Sequence, residues 1–372
     1  MKFLDCVIVN PKISLKKGKV YPFIEMANVS TSYREPLLIE YKSFDSGAKF
    51  QDGDTVIARI TPCLQNGKRF YCKNIGTGFG STEYLVFRPK NKLVNNLFLY
   101  YFMQTEFIKL QMINSMVGAT GRQRVNNNVF NDIKLNLPDI KIQKNIGKTL
   151  SAYDDLIENN QKQIKLLEEA AQRLYKDWFV DLRFPGYEKT PIIDGVPEGW
   201  EEEEINKIFN IKYGKTLPTN KIKNSGKYPV YGANGIIGYY NQKNCNDYVV
   251  LITSRGNGSG EVSRTHDKEA FVTNNSFIIM PVNDLIKLPF TYQLMKTINF
   301  KRICTGSAQP QLTNKSINIL KVVLPSDELV LKFCQYTEIY YEKIENLLSQ
   351  NKRLIEARDR LLTKLMSGEI EV

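Results

Sequence analysis

Residues 157 to 174 read IENNQKQIKLLEEAAQRL, and residues 344 to 361 read IENLLSQNKRLIEARDRL. Set side by side at a constant offset of 187, ten of these 18 positions are identical. The Leu-Pro pairs at 137–138 and 324–325 keep the same offset. Upstream, SMVGATGRQRVNNNVF (115–130) parallels CTGSAQPQLTNKSI (304–317), with Gly118 facing Gly306. Earlier still, DTVIARI (54–60) resembles DYVVLIT (247–253) at an offset of 193. The chain is therefore a tandem duplication, each half ordered as β-rich segment, Gly/polar loop, short strand and long helix.

The repeated helical segments keep a seven-residue beat. In the first, Ile157, Ile164, Ala171 and Trp178 share one seam position, and Asn160, Leu167 and Leu174 share the other. In the second, the seam is Ile344, Asn351, Arg358 and Leu365 with Leu347, Leu354 and Leu361. This is a coiled-coil pattern. Asn160, Asn351 and Arg358 interrupt it, at a cost in stability that fixes register. Two helices of some 40 residues, each about 60 Å long, would pack antiparallel and hold a domain at either end. The alternative is two amphipathic helices, each packed only on its own domain.

Charge is segregated along the same frame. Residues 1–138 carry +9 and 205–325 carry +11, 139–180 and 326–368 are each neutral, and an acidic 181–204 (−6) with the last four residues (−2) bring the net charge to +12. Two basic segments joined to neutral helices suit a polyanionic partner that meets two surfaces. Short β-branched runs such as TVIARI, EYLVFRP, YVVLIT and SFIIMP make each basic segment a mixed α/β domain. The predicted boundaries are a first domain at 1–138, a first helix at 139–180, a linker at 181–204, a second domain at 205–325 and a second helix at 326–368. No apolar run is long enough for a membrane span, and MKFLDCVIVNPK is no signal peptide, so a cytoplasmic protein is expected. Six cysteines without a CxxC pair and a single histidine, His266, argue against disulfide frameworks, zinc sites and histidine-dependent catalysis.

Several stretches resemble the specificity subunit of type I restriction–modification systems. They are LPDIKIQKNIGKTLSAYDDLIENNQKQIKLLEEAAQRLYKDWFVDLRF (137–184), PEGWE (197–201), KYPVYGANGIIGY (227–239) and LIEARDRLLTKLMSGEI (354–370), with the loops VGATGRQRVN and GSAQPQLT. The resemblance covers essentially the whole chain. It implies two target recognition domains, each reading one half of a bipartite site on double-stranded DNA, and an antiparallel two-helix spacer. It also implies docking of methyltransferase subunits, two in number, with restriction subunits joining that core. Methyl donor, ATP and magnesium would sit only on those partners, and no metal or cofactor on this chain. One departure is visible: the second domain opens with PEGWE, whereas the first starts abruptly at MKFLDCVIVNPK. The first opening strand would then be shorter, or be completed by the C-terminal end.

Catalytic motifs are missing. The GKT tripeptides at 147–149 and 214–216 have Ile142 and Phe209 where a phosphate-cradling loop needs glycine. GTGFGS (76–81) and SRGNGSG (254–260) lack dinucleotide-site spacing and read as loops or tight hairpins.

Base reading needs forked donors and acceptors on exposed loops, while lysine and further arginine hold phosphates. In the first domain these are Arg122, Gln123, Arg124 and Asn126, with Lys68 and Arg69 at a hairpin tip. In the second they are Arg255, Asn257, Arg264, Gln309, Gln311 and Lys315, with Lys301 and Arg302 on phosphates. The leading expectation is a non-catalytic DNA-recognition subunit. The competing one is a structural adaptor whose helices recruit partners without sequence-specific DNA binding.

Overall fold

A computed structural model describes residues 1–90, 92–306 and 310–372. The chain divides into two units: Met1–Lys162 with Ser349–Val372, and Gln163–Leu348. The division falls inside both long helices, so each unit owns part of each helix rather than one whole helix.

In the first unit, Val7–Val9, Tyr84–Pro89, Thr55–Ala58 and Arg69–Tyr71 form one antiparallel sheet in that spatial order. Thr55–Ala58 is buried along its whole length, as expected of a central β-branched strand covered on both faces. A second sheet orders Glu40–Ser43, Val20–Ile24, Thr77–Gly80 and Ala48–Gln51, and its two middle strands run parallel. Thr77–Gly80 lies within GTGFGS, which the sequence presents as a loop. Its glycines answer packing rather than turning. A Cβ on Gly78 would lie 2.7 Å from the Pro22 carbonyl oxygen, and one on Gly80 2.6 Å from that of Ile24. Ile24, Phe50, Val56, Phe70, Tyr84 and Val86 seal the two sheets together.

The second unit repeats this plan. Phe209–Tyr213, Ser276–Pro281, Val250–Thr253 and Val262–Arg264 form the four-stranded sheet in the corresponding order. Gly235–Tyr240, Tyr228–Gly232 and Phe271–Val272 form the smaller sheet, again with a parallel pair. The fourth strand of that sheet is reduced to the bridge Cys245↔Ala270.

The opening strands differ between the units. In the second unit Glu201–Glu204 pairs antiparallel with Lys321–Leu324 over four residues. In the first the counterpart is the single bridge Lys2↔Lys134. The last residues, from Gly368 on, carry no strand, so the shorter alternative holds. Glu201–Glu204 thus pairs with the second unit although its acidic composition reads as linker. Phe184 and Trp200 enter that unit's core as well.

The long helices are Ile140–Phe179 and Asp327–Ser367. Within the first unit, Asn160 Nδ2 donates to Asn351 Oδ1 at 2.9 Å, and Arg358 pairs with Asp154 at 2.5 Å. Within the second, Trp178 and Tyr175 each meet Phe333 edge to face. Residue numbers on one helix fall as those on the other rise, which is antiparallel pairing. Seam residues Ile157, Trp178, Ile344, Leu347 and Leu365 are buried, and Ile164, Leu167, Leu174, Leu354 and Leu361 are half-buried. Leu166, off the seam, is 63% exposed. None of the described helices is long and apolar enough to cross a membrane.

Candidate nucleic-acid interface

The two polar loops singled out by the repeat are built by the same hydrogen bonds. In the first unit Val117 and Arg124 exchange backbone bonds of 2.9 Å, closing a hairpin around Gly118 and Gly121. In the second, Thr305 and Gln311 exchange bonds of 2.8 Å around Gly306. Gly118 and Gly306 both hold positive φ, 120° and 90°, a region that residues with a Cβ rarely adopt. Each hairpin is then tied to the strand-end loop of its large sheet. Val125 N–H donates to Arg59 O and Thr61 N–H to Gln123 O, both at 2.9 Å. The counterparts are Leu312 N–H to Ser254 O at 2.9 Å and Gly256 N–H to Pro310 O at 3.1 Å. Val125 and Leu312, each 1% exposed, anchor the hairpins in the cores below.

The expected DNA-contacting residues separate on this frame. Arg122, Arg255, Asn257, Arg302, Gln311 and Lys315 are exposed. Among the described residues none of these six side chains has a polar partner. Gln123 is half-buried and its backbone belongs to the hairpin anchor. Asn126 accepts from Asn128 N–H, an Asx turn in its own loop. Arg124 is exposed but clamped bidentate by Glu83, with contacts of 2.7 and 3.0 Å. Lys301 pairs with Glu261 at 3.1 Å, both in solvent. Lys68 donates to Met26 O, and Arg69 to Thr31 O and Gly67 O, so both brace the loop beside them. Gln309 lies outside the described residues.

Arg264 requires a correction. Expected on the DNA side, it is 4% exposed. Its Nη1 pairs with Glu345 on the second long helix, and its guanidinium lies 4.9 Å over the Tyr341 ring. A cation sealed against a carboxylate and an aromatic face is committed to packing.

Sequence reasoning passes over a set of buried charges. Arg34, 1% exposed in its side chain, reaches three side chains of the first long helix. Its Nε and Nη2 hold Glu158 at 2.7 and 2.6 Å, Nη1 donates to Ser151 and Nη2 to Asp155. Burial pushes the Asp155 carboxyl up, but Arg34 and Lys73 pull it below the usual carboxylate range. Asp154 accepts from Tyr101 Oη and from Arg358, which also donates to Ser32 O. Glu345 is Glu158 shifted by the repeat offset, and it receives Arg264 and His266 as Glu158 receives Arg34. The shared Ile-Glu-Asn triplet at 157–159 and 344–346 is the signal that could have found both carboxylates.

Comparison with known proteins agrees with this construction. The family model for the type I restriction modification DNA specificity domain matches twice, at residues 8–169 and 197–348. The chain therefore belongs to the type I restriction–modification specificity family, the non-catalytic DNA-recognition components of these systems. It is 25% identical to the MjaIX specificity subunit of Methanocaldococcus jannaschii, over 76% of this chain and 71% of that one. It is 23% identical to the HindI specificity subunit of Haemophilus influenzae, over 86% of each. The crystal structure of a type I S subunit from M. genitalium superposes with a TM-score of 0.55 at 20% identity. That superposition covers 98% of this chain and 95% of the other, and shows a shared fold.

Proposed function

We propose that this chain is the subunit that reads a bipartite duplex DNA target, one half-site per unit, while its helix pair docks two methyltransferase subunits and sets the distance between half-sites. The observation that carries this reading is the duplicated hairpin. Equivalent backbone bonds close both hairpins, with an exposed, unpaired Arg122 in the first and, in the second unit, an exposed, unpaired Arg255 on the strand-end loop that bridges to its hairpin at Gln311. Exposed guanidiniums suit guanine edges in the major groove, and Asn257 and Gln311 suit adenine. The strongly basic composition of both domains supplies the phosphate term. Methyl donor, ATP and magnesium belong on the partner subunits of a cytoplasmic complex, with restriction subunits joining through the methyltransferases.

Footprinting the assembled complex on duplex DNA tests the reading. Two short protected blocks flanking an open spacer are expected. One continuous or sequence-independent block would rule it out, and no protection at all would favour the adaptor.

A further inference from the structure

Each unit carries a second cationic surface, remote in sequence from its hairpin, on the smaller sheet. In the first unit one face of that sheet seals the core through Ile24 and Phe50. Side chains alternate across a sheet, so the register places Tyr21, Phe23, Lys42, Phe79 and Lys49 on the opposite face. Phe23, Phe44 and Phe79 form a ring cluster there, with centroids 5.0 and 5.1 Å apart. Lysines cover it. Lys42 Nζ lies 4.2 Å from the Phe23 centroid, Lys49 Nζ 5.1 Å from that of Phe44 and Lys19 Nζ 5.8 Å from that of Tyr21.

The second unit repeats the device with other residues. Tyr228 stands where Tyr21 does, and Phe271 where Phe79 does, in each case by the pairing register. Lys227 and Lys243 lie 5.1 and 5.7 Å from the Tyr228 centroid. The flanking chain is depleted of acids in both halves. Between Asp5 and Glu25 there are four lysines and no carboxylate; between Glu204 and Asp247 there are seven and none. The carboxylates nearby pair individually: Asp45 with Lys17, Glu40 with Lys42 and Glu269 with Lys243.

We infer that these two lysine-covered sheet faces hold the phosphate backbone of duplex DNA, independently of base sequence, beside the half-site that each hairpin reads. Three features favour phosphates over bases or a protein partner. Every cation named on these faces is lysine, a point charge without the fork that base edges reward. The rings of Phe44, Phe79, Tyr228 and Phe271 are buried and those of Tyr21 and Phe23 half-buried under Lys19 and Lys42, so they steady the ammonium groups rather than offer a bare platform for stacking an unpaired base. The duplication places a like surface in both units, as a partner with two equivalent stretches requires. The inference rests on the proposed DNA-reading function and deepens it.

The test is a salt titration of the full chain on a random-sequence duplex and on a duplex recovered by selection. Lys19→Gln, Lys42→Gln and Lys49→Gln are combined in one variant, and Lys227→Gln with Lys243→Gln in another. The triple variant is expected to flatten the slope of log Kobs against log salt by about 2 to 3, and the double variant by about 2. Both should weaken the two duplexes by the same factor and leave the two-block footprint in place. A triple Lys→Arg variant keeps the charge and should restore the slope, which separates charge from folding. An unchanged slope, a loss confined to the selected duplex, or a preference for single strands would overturn the inference while the half-site reading stands. Wild-type chain that binds no duplex would remove both.

Discussion

Arg34 and Glu158 show what a single pair of residues does here. A guanidinium and a carboxylate, both almost wholly removed from water, are tolerable only because each satisfies the other along with Ser151 and Asp155. Replacing Arg34 by Met leaves Glu158 buried with Lys73 as its remaining cation. The expected loss is about 3 kcal/mol in denaturant unfolding of the full chain, with little effect from the same change at exposed Arg122. Glu345 adds a pH dependence to the second unit. Burial raises its carboxyl, but His266 and Arg264 outweigh that and hold it below the usual value. A depressed carboxylate stabilises the fold above its unfolded pKa of about 4.3, and that stability drains as pH falls through the lower folded value. Thermal unfolding followed from pH 6 to pH 3 should show this acid loss, and Glu345→Gln should start lower and vary less over that range. Neither pair is legible residue by residue. Arg264 sits in a β-like run and Arg34 in an irregular one, and nothing local says that a helix distant in sequence closes over them.

The helices and hairpins behave as elements with separable roles. The Asn160–Asn351 contact sets two amides in an otherwise apolar seam, where they satisfy each other only in one register. Changing both to Leu should raise the melting temperature by a few degrees, since buried amides stabilise less than packed leucine. It should also loosen register, read as blurred spacing between the protected blocks. The heptad positions are plain in the sequence because period and offset coincide. The hairpins are plain too, from Gly118 and Gly306. By contrast GTGFGS hides a strand, because glycines demanded by a neighbouring backbone look the same in sequence as glycines demanded by a turn. Arg122→Ala is expected to cost about 1–3 kcal/mol of DNA affinity and to relax discrimination in one half-site alone. Binding-site selection with the variant reads that outcome.

For the whole molecule, duplication is the governing property. Each half is a basic α/β unit whose large sheet, small sheet and hairpin recur in the same order, with residues free to diverge on the loops. If the helix pair is the ruler, adding one heptad to both helices adds about 10 Å, equivalent to about three base pairs of spacer. The footprint should then show its two blocks moved apart by that amount, each block unchanged.

The sequence alone determined the duplication, the two heptad helices, the two basic segments and the family, because repeat offset, period and charge are properties of the chain as a string. Tertiary structure decided which cations are free. Arg264 is sealed under Tyr341 and Arg124 is clamped by Glu83, whereas Arg122 and Arg255 stand open. The reason is physical: a charge becomes available or committed according to which carboxylate, ring or carbonyl folding brings within a few ångströms, and the carboxylates of Arg124 and Arg264 lie 41 and 81 residues away in the chain.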